Sequence, residues 1–200
     1  MITAGPRVAL IGFTGTGKTT VARLLLDELR RTGQDARLIK LSAPLYRLQR
    51  AYYAEAGTDL PRDVQDQQLM VEVATALRRI DPAALVTRFL ATLATAPSGT
   101  AVITDDLREA DPDAAHLRDA GFTVIRLDCP EQVRLARLAS RHDRSIVDEP
   151  VVFGPSLHQI PTDLVLDTHQ ATPADIVHHI LRHTHRTNRP PREAPHGAGA

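Results

Sequence analysis

Residues Gly12-Phe-Thr-Gly-Thr-Gly17-Lys18-Thr19 read G-x-x-x-x-G-K-[ST], and their setting decides the fold. An apolar run, Val8-Ala-Leu-Ile11, leads into them as a strand would, and Thr20-Val-Ala-Arg-Leu-Leu-Leu-Asp-Glu-Leu29 leads out as a helix. Glycines in such a turn let backbone N–H groups converge on phosphate oxygens, and the helix that follows adds its positive end. The motif therefore predicts a triphosphate cradle built from Gly12, Phe13, Thr14, Gly15, Thr16, Gly17, Lys18, Thr19 and Thr20. Lys18 is expected to reach the β- and γ-phosphates, and the Thr19 hydroxyl to enter a magnesium shell.

Outward from this loop, strands and helices alternate, which predicts a largely parallel sheet covered on both faces. The loop helix is expected over 18–31 and ends before Gly33; Ala36 to Leu41 reads as a second strand. A long helical region broken at Gly57 and Pro61 carries Leu69, Val73, Leu77 and Ile80 on one face. Asp81-Pro82 starts another helix through Leu93. Thr100 to Asp105 is the third strand, 110–120 a helix, Phe122 to Asp128 the fourth strand, and 163–167 a short fifth. A basic helix runs from Pro130 to about Arg141, residues 143–160 read as loop, and a last helix covers 173–186. The expected organisation is one domain over 1–186 with a lid at about 130–150, and a Pro-, Gly- and Ala-rich disordered tail over 187–200.

Two hundred residues suit one α/β core. The 24 basic and 24 acidic residues cancel, so no nucleic-acid polymer or anionic membrane surface is implied. No stretch approaches the roughly 18 apolar residues of a membrane span, and no signal-peptide core precedes the first strand, so a cytoplasmic location is expected. Cys129 alone excludes an internal disulfide framework and reads as a small residue closing an apolar strand. His178, His179, His183 and His185 crowd the last helix without an accompanying Cys, which favours a solvated helix end over zinc. Nothing distinguishes a monomer from a homodimer.

Phosphoryl transfer asks a protein mainly for positioning and positive charge. Asp105 and Asp106 end the third strand, where one carboxylate can hold magnesium and the other can sit at the transfer centre or cap the next helix. Asp105 is assigned to the metal with Thr19, and Asp106 to catalysis. Arg108 can reach a substrate phosphate with its planar fork. Arg134, Arg137 and Arg141 share one face of the basic helix, with Arg144 beyond, and predict a lid over the triphosphate. Arg134 is expected on the nucleotide, and Arg137 and Arg141 at the transfer path.

Four stretches together resemble the deoxynucleoside monophosphate kinase family of P-loop kinases, and more distantly other nucleotide and small-metabolite kinases of that fold. They are the phosphate loop, Leu41-Ser-Ala-Pro-Leu-Tyr-Arg47, the helix Gln68 to Pro82 ending in Asp-Pro, and Val102-Ile-Thr-Asp-Asp-Leu-Arg108 followed by Asp113 and Gly121. The second is similar to the family's Phe-Ala-Asp-Pro-Leu-Lys segment, the fourth to its strand ending Asp-Asp-Val-Arg-Phe. The resemblance implies a P-loop NTPase fold with a mostly parallel five-stranded sheet, flanking helices and a helical lid. It implies ATP and Mg2+, a small monophosphate acceptor gripped by Arg47, Arg78 and Arg108, and Asp106 at the transfer centre. Ala43, Tyr46 and Glu109 depart from the family pattern, all on the acceptor side. A kinase of a small non-nucleotide metabolite is therefore the second expectation. A nucleotide-dependent switch or motor is the third, although no guanine-reading Asn-Lys-x-Asp segment is present.

Overall fold

A computed structural model of the chain describes residues 5–61, 64–140 and 157–187. Five strands form one sheet in the order β2-β3-β1-β4-β5: β1 (Arg7–Ile11), β2 (Ala36–Leu38), β3 (Ala101–Thr104), β4 (Thr123–Asp128) and β5 (Leu164–Asp167). Every pairing is parallel. The helices are α1 (Lys18–Arg31), α2 (Ala43–Glu55), α3 (Gln67–Ile80), α4 (Ala84–Ala94), α5 (Ala115–Asp119), α6 (Glu131–Ser140) and α7 (Pro173–Thr187). A wide helical turn, Ala110–Ala114, precedes α5, with extended backbone at Asp111 and a cis Asp111–Pro112 bond.

The apolar strand runs are explained by burial on both faces. Along β1, Val8 and Leu10 face one way and join Val21, Ala22, Leu25 and Leu29 of α1 with Ile176, Val177 and Ile180 of α7. Ala9 and Ile11 face the other way, against Val86 and Phe89 of α4 and Leu117 of α5. Side chains such as Leu25, Ile103 and Ile125 are fully buried, each stabilising the fold by about 1.5–3 kcal/mol. A third cluster, Leu45, Met70, Val73 and Leu85, knits α2, α3 and α4 together.

The expected strands are present, and β2 to β5 are each shorter than expected, β2 the most. β2 stops at Leu38, not Leu41, because Ile39 to Leu41 turn away toward α2 after one further bond, Ile39 N to Ile103 O at 2.9 Å. The helix expected over 110–120 is broken at its start by Pro112, which has no N–H to give a helical ladder. Among the described residues no helix is long and apolar enough to cross a membrane. Residues 141–150 of the lid expected at 130–150 lie outside the described residues, Arg141 and Arg144 among them, as does the tail from 188.

Candidate active site

In an open α/β sheet, ligands bind beyond the carboxyl ends of the strands, where the strand order reverses. Here β1 lies at the centre, with β3 on one side and β4 on the other, and each contributes to the site. β1 runs into the phosphate loop, whose Gly12 has φ 139°. A Cβ there would lie 2.4 Å from Leu127 O, so only glycine lets the loop pass this close to β4. Gly15, at φ 90°, meets α6 in the same way: a Cβ would fall 2.9 Å from Arg134 Cγ and 3.1 Å from Leu138 Cγ.

Within the loop, Thr16 is buried and donates its hydroxyl to Phe13 O at 2.8 Å. Lys18 Nζ donates to Gly12 O (2.6 Å) and Phe13 O (2.9 Å), bracing the loop across its mouth. Thr14, Gly15, Gly17, Lys18, Thr19 and Thr20 line one end of a cavity of about 360 Å³.

The two acids that follow β3 have different partners. Asp105, whose side chain has no solvent exposure, accepts the Thr19 hydroxyl at 2.9 Å and is ion-paired with Lys40. These residues fit a magnesium ion. One hydroxyl and one carboxylate, both hard oxygen donors, touch beside the phosphate loop, and an ammonium already stands against the carboxylate as a cation would. Among the described residues no group of three or more His, Cys, Asp or Glu is arranged to hold a metal alone; magnesium instead characteristically takes one or two protein ligands and completes its shell with phosphate and water.

Asp106 is committed differently. Its Oδ1 accepts from Leu41 N (3.0 Å) and Thr104 Oγ1 (2.9 Å), and its Oδ2 from Ser42 N (3.0 Å) and Ser42 Oγ (2.5 Å). Four donors fill the roughly four lone-pair positions of a carboxylate. Asp106 thus fixes the entry to α2, and a proton-accepting role at a substrate has no spare lone pair in this arrangement.

The other end of the cavity is formed by α2, α3 and α4 and mixes apolar with polar groups. Leu45, Met70, Val71, Ala74 and Leu85 line it together with Ser42, Tyr46, Gln65, Gln67 and Thr75. Arg78 lines it and is bound to Asp113 at 2.6 Å. Burial pushes the Asp113 carboxyl above the usual carboxylate range; Arg78 works against this, and Glu109 and Asp106 add to it. Burial also raises the Tyr46 hydroxyl, with Asp106 and Asp105 reinforcing the effect. Arg108 lines the cavity as well, but Arg47 does not. It follows Tyr46 by about 100° around the helix, and that turn carries it to the exposed side of α2.

The arginines of α6 lie against the outside of the loop. Arg134 is buried, with its guanidinium 5.8 Å from the Phe13 ring centre, and it bonds Thr14 O at 3.4 Å. Arg137 donates to Thr168 O (2.7 Å), Thr168 Oγ1 (3.1 Å) and Gly15 O (3.4 Å). Carbonyl oxygens thereby meet part of the positive charge that the sequence assigns to phosphates. Arg137 also borders a second cavity of about 170 Å³, formed with Gly17, Thr20, Thr168, Ala171 and Pro173.

Sequence reasoning missed Lys40, Ser42 and the Arg78–Asp113 pair. Lys40 carried no sequence signal: only the β2–β3 register, with Leu38 beside Ile103, shows that it falls near Asp105 two positions further on.

No family model matches the chain, and no curated protein matches it either. Solved structures do. A candidate kinase from Chloroflexus aurantiacus j-10-fl superposes with a TM-score of 0.59 at 21% identity, over 94% of this chain and 100% of the other. Shikimate kinase from Acinetobacter baumannii in complex with shikimate gives 0.55 at 20%, over 90% and 93%. A gluconokinase from Sinorhizobium meliloti 1021 gives 0.52 at 16%, over 93% and 95%. These likenesses extend over whole chains, and with the parallel five-stranded sheet and the phosphate loop at the end of β1 they show that this chain has the fold of the P-loop kinases.

Proposed function

We propose that the chain is a cytoplasmic Mg-ATP-dependent kinase that phosphorylates a small metabolite on a hydroxyl group. One observation carries this reading: a single cavity joins the phosphate loop and the Thr19–Asp105 pair to a half-apolar pocket whose charges are already balanced. Lys18, Lys40, Arg78 and Arg108 line it, and so do Asp105, Asp106, Glu109 and Asp113. Lys40 and Arg78 each face an acid, so the acceptor end offers little surplus positive charge. A monophosphate dianion would need that surplus. A hydroxyl acceptor of low charge, with an apolar face against Leu45, Met70 and Val71, does not.

The deoxynucleoside monophosphate implied by the sequence resemblance is accordingly the less favoured acceptor. The whole-chain likenesses lean the same way, since the partners named above are a shikimate kinase and a gluconokinase. A slow switch ATPase has no use for a pocket of this kind beside the triphosphate.

In this reading the loop amides and Lys18 hold the donor phosphates, and Thr19 and Asp105 hold magnesium. Bound there, magnesium would offset charge on the β- and γ-phosphates. The second cavity, between Arg137 and the Thr168–Pro173 turn, would take the base end of the nucleotide. Asp106, through Ser42 and Leu41, sets the wall that aligns the acceptor for in-line attack. The test is ADP release with Mg-ATP against hydroxylated metabolites (sugar acids, cyclic polyols and hydroxy acids) beside nucleoside monophosphates. Turnover confined to monophosphates would defeat the proposed acceptor class.

A further inference from the structure

Lys40 belongs to no sequence motif, and it lies two residues past the end of β2. The β2–β3 register, Arg37 with Val102 and Leu38 with Ile103, sets Lys40 across from Asp105 when carried two residues further. The backbone pairing does continue one step, through Ile39 N to Ile103 O. The ammonium is bonded to Asp105 Oδ1, while Thr19 Oγ1 donates to Oδ2. Asp105's side chain is 0% exposed and Lys40's 33%, so the pair spans from the interior to the open cavity.

A carboxylate taken out of water needs a compensating charge. Thr19 supplies only a dipole, so Lys40 supplies the charge. A magnesium ion held by Thr19 and Asp105 would deliver its charge to the same carboxylate. Two cations on one carboxylate repel each other, and the lysine is the one on a flexible stem. Lys40 lines the cavity together with Lys18, Ser42 and Arg108.

We propose that Lys40 is a catalytic cation that changes partner: it neutralises Asp105 until a divalent metal does so, then turns to the γ-phosphoryl group where the acceptor attacks. In that step the acceptor oxygen bonds to the γ-phosphorus and the β–γ bridging bond breaks. ADP leaves with the electron pair, and the hydroxyl proton passes to water. Lys40 offsets the charge on the equatorial phosphoryl oxygens during transfer. The partner change rests only on the Asp105 geometry; the transfer role rests on the kinase reading.

Mn2+ titration without nucleotide, followed by electron paramagnetic resonance, tests the two separately. Lys40→Met should bind Mn2+ about tenfold more tightly than wild type, because its buried carboxylate has lost its cation, and Lys40→Arg should stay within about twofold. In Mg-ATP turnover, to acceptor or to water, Lys40→Met should lose about 100-fold in kcat with the KM for ATP within about threefold. Unchanged Mn2+ affinity in Lys40→Met overturns the partner change, and tighter Mn2+ with wild-type kcat overturns the catalytic role. Should Lys40→Met not fold, acylation of Lys40 in the wild type decides. Labelling must rise with Mg2+ alone and fall again when a non-hydrolysable ATP analogue is added; labelling indifferent to Mg2+ overturns the proposal. Failure of every acceptor to stimulate the wild type would count against the kinase reading alone, since the Mn2+ arm needs no acceptor.

Discussion

Asp106 holds Ser42 twice, accepting its hydroxyl at 2.5 Å and its backbone N–H at 3.0 Å through the same oxygen. The end of β3 is thereby tied to the entry of α2, and α2 carries Leu45 and Tyr46 into the acceptor end of the cavity. Removing this tie should loosen that wall without touching the phosphate loop. Asp106→Ala is expected to cost about 2–3 kcal/mol of stability through unsatisfied donors, and to raise the acceptor KM at least about tenfold while ATP binding changes little. Chemical denaturation and steady-state kinetics check both. Equal loss on the ATP side would return Asp106 to the transfer centre.

Arg78 and Asp113 form a pair whose acid is almost wholly buried, with side-chain exposures of 24% and 3%. Burial raises the folded-state pKa of Asp113. The proton-linked stability is then fully present below the unfolded value and lost as pH rises through the folded value, so at neutral pH the anion is a cost that Arg78 offsets. Arg78→Met should destabilise by about 3 kcal/mol near neutrality, and part of that should return on acidification toward pH 5. Adding Asp113→Asn to Arg78→Met should restore much of the loss at neutral pH. Melting curves of the wild type and the two variants at two pH values decide; a pH-independent deficit would mean that Arg78 acts through packing alone.

Gly15 shows how closely α6 backs the phosphate loop. An alanine there would need φ 90° and would press on Arg134 Cγ and the Arg134 carbonyl at 2.9–3.0 Å. Gly15→Ala is expected to abolish measurable ATP binding and to cost about 1–3 kcal/mol of stability. Calorimetry with a non-hydrolysable analogue should show no heat. Retained affinity would mean that α6 yields easily and is not part of the loop's support.

Much of the fold was legible because the phosphate loop fixes β1 and α1 together, and apolar runs such as Val102-Ile103 and Val124-Ile125 have no place but a sheet buried on both faces. The site was legible in part: Thr19 and Asp105, both assigned to a metal from the sequence, are hydrogen-bonded to each other, and Lys18 lines the same cavity. Long-range pairings were not. Lys40 with Asp105 depends on strand register, and Arg78 with Asp113 on how α3 packs near the turn before α5. Arg47 shows the converse error. Its place in a family-like segment put it on the acceptor, but helical rotation beside Tyr46 turns it outward. The α6 arginines were read as waiting for phosphate, because carbonyl acceptors such as Thr168 O cannot be seen from helix periodicity.

The most direct measurement is Mg-ATP-dependent ADP release, for wild type and Lys18→Ala, against hydroxylated metabolites and nucleoside monophosphates in parallel. Strong stimulation by one hydroxyl-bearing, weakly charged metabolite is expected, with collapse by at least about 100-fold in Lys18→Ala and the fold retained. Strong stimulation by a nucleoside monophosphate alone, or turnover that survives Lys18→Ala, would contradict that expectation.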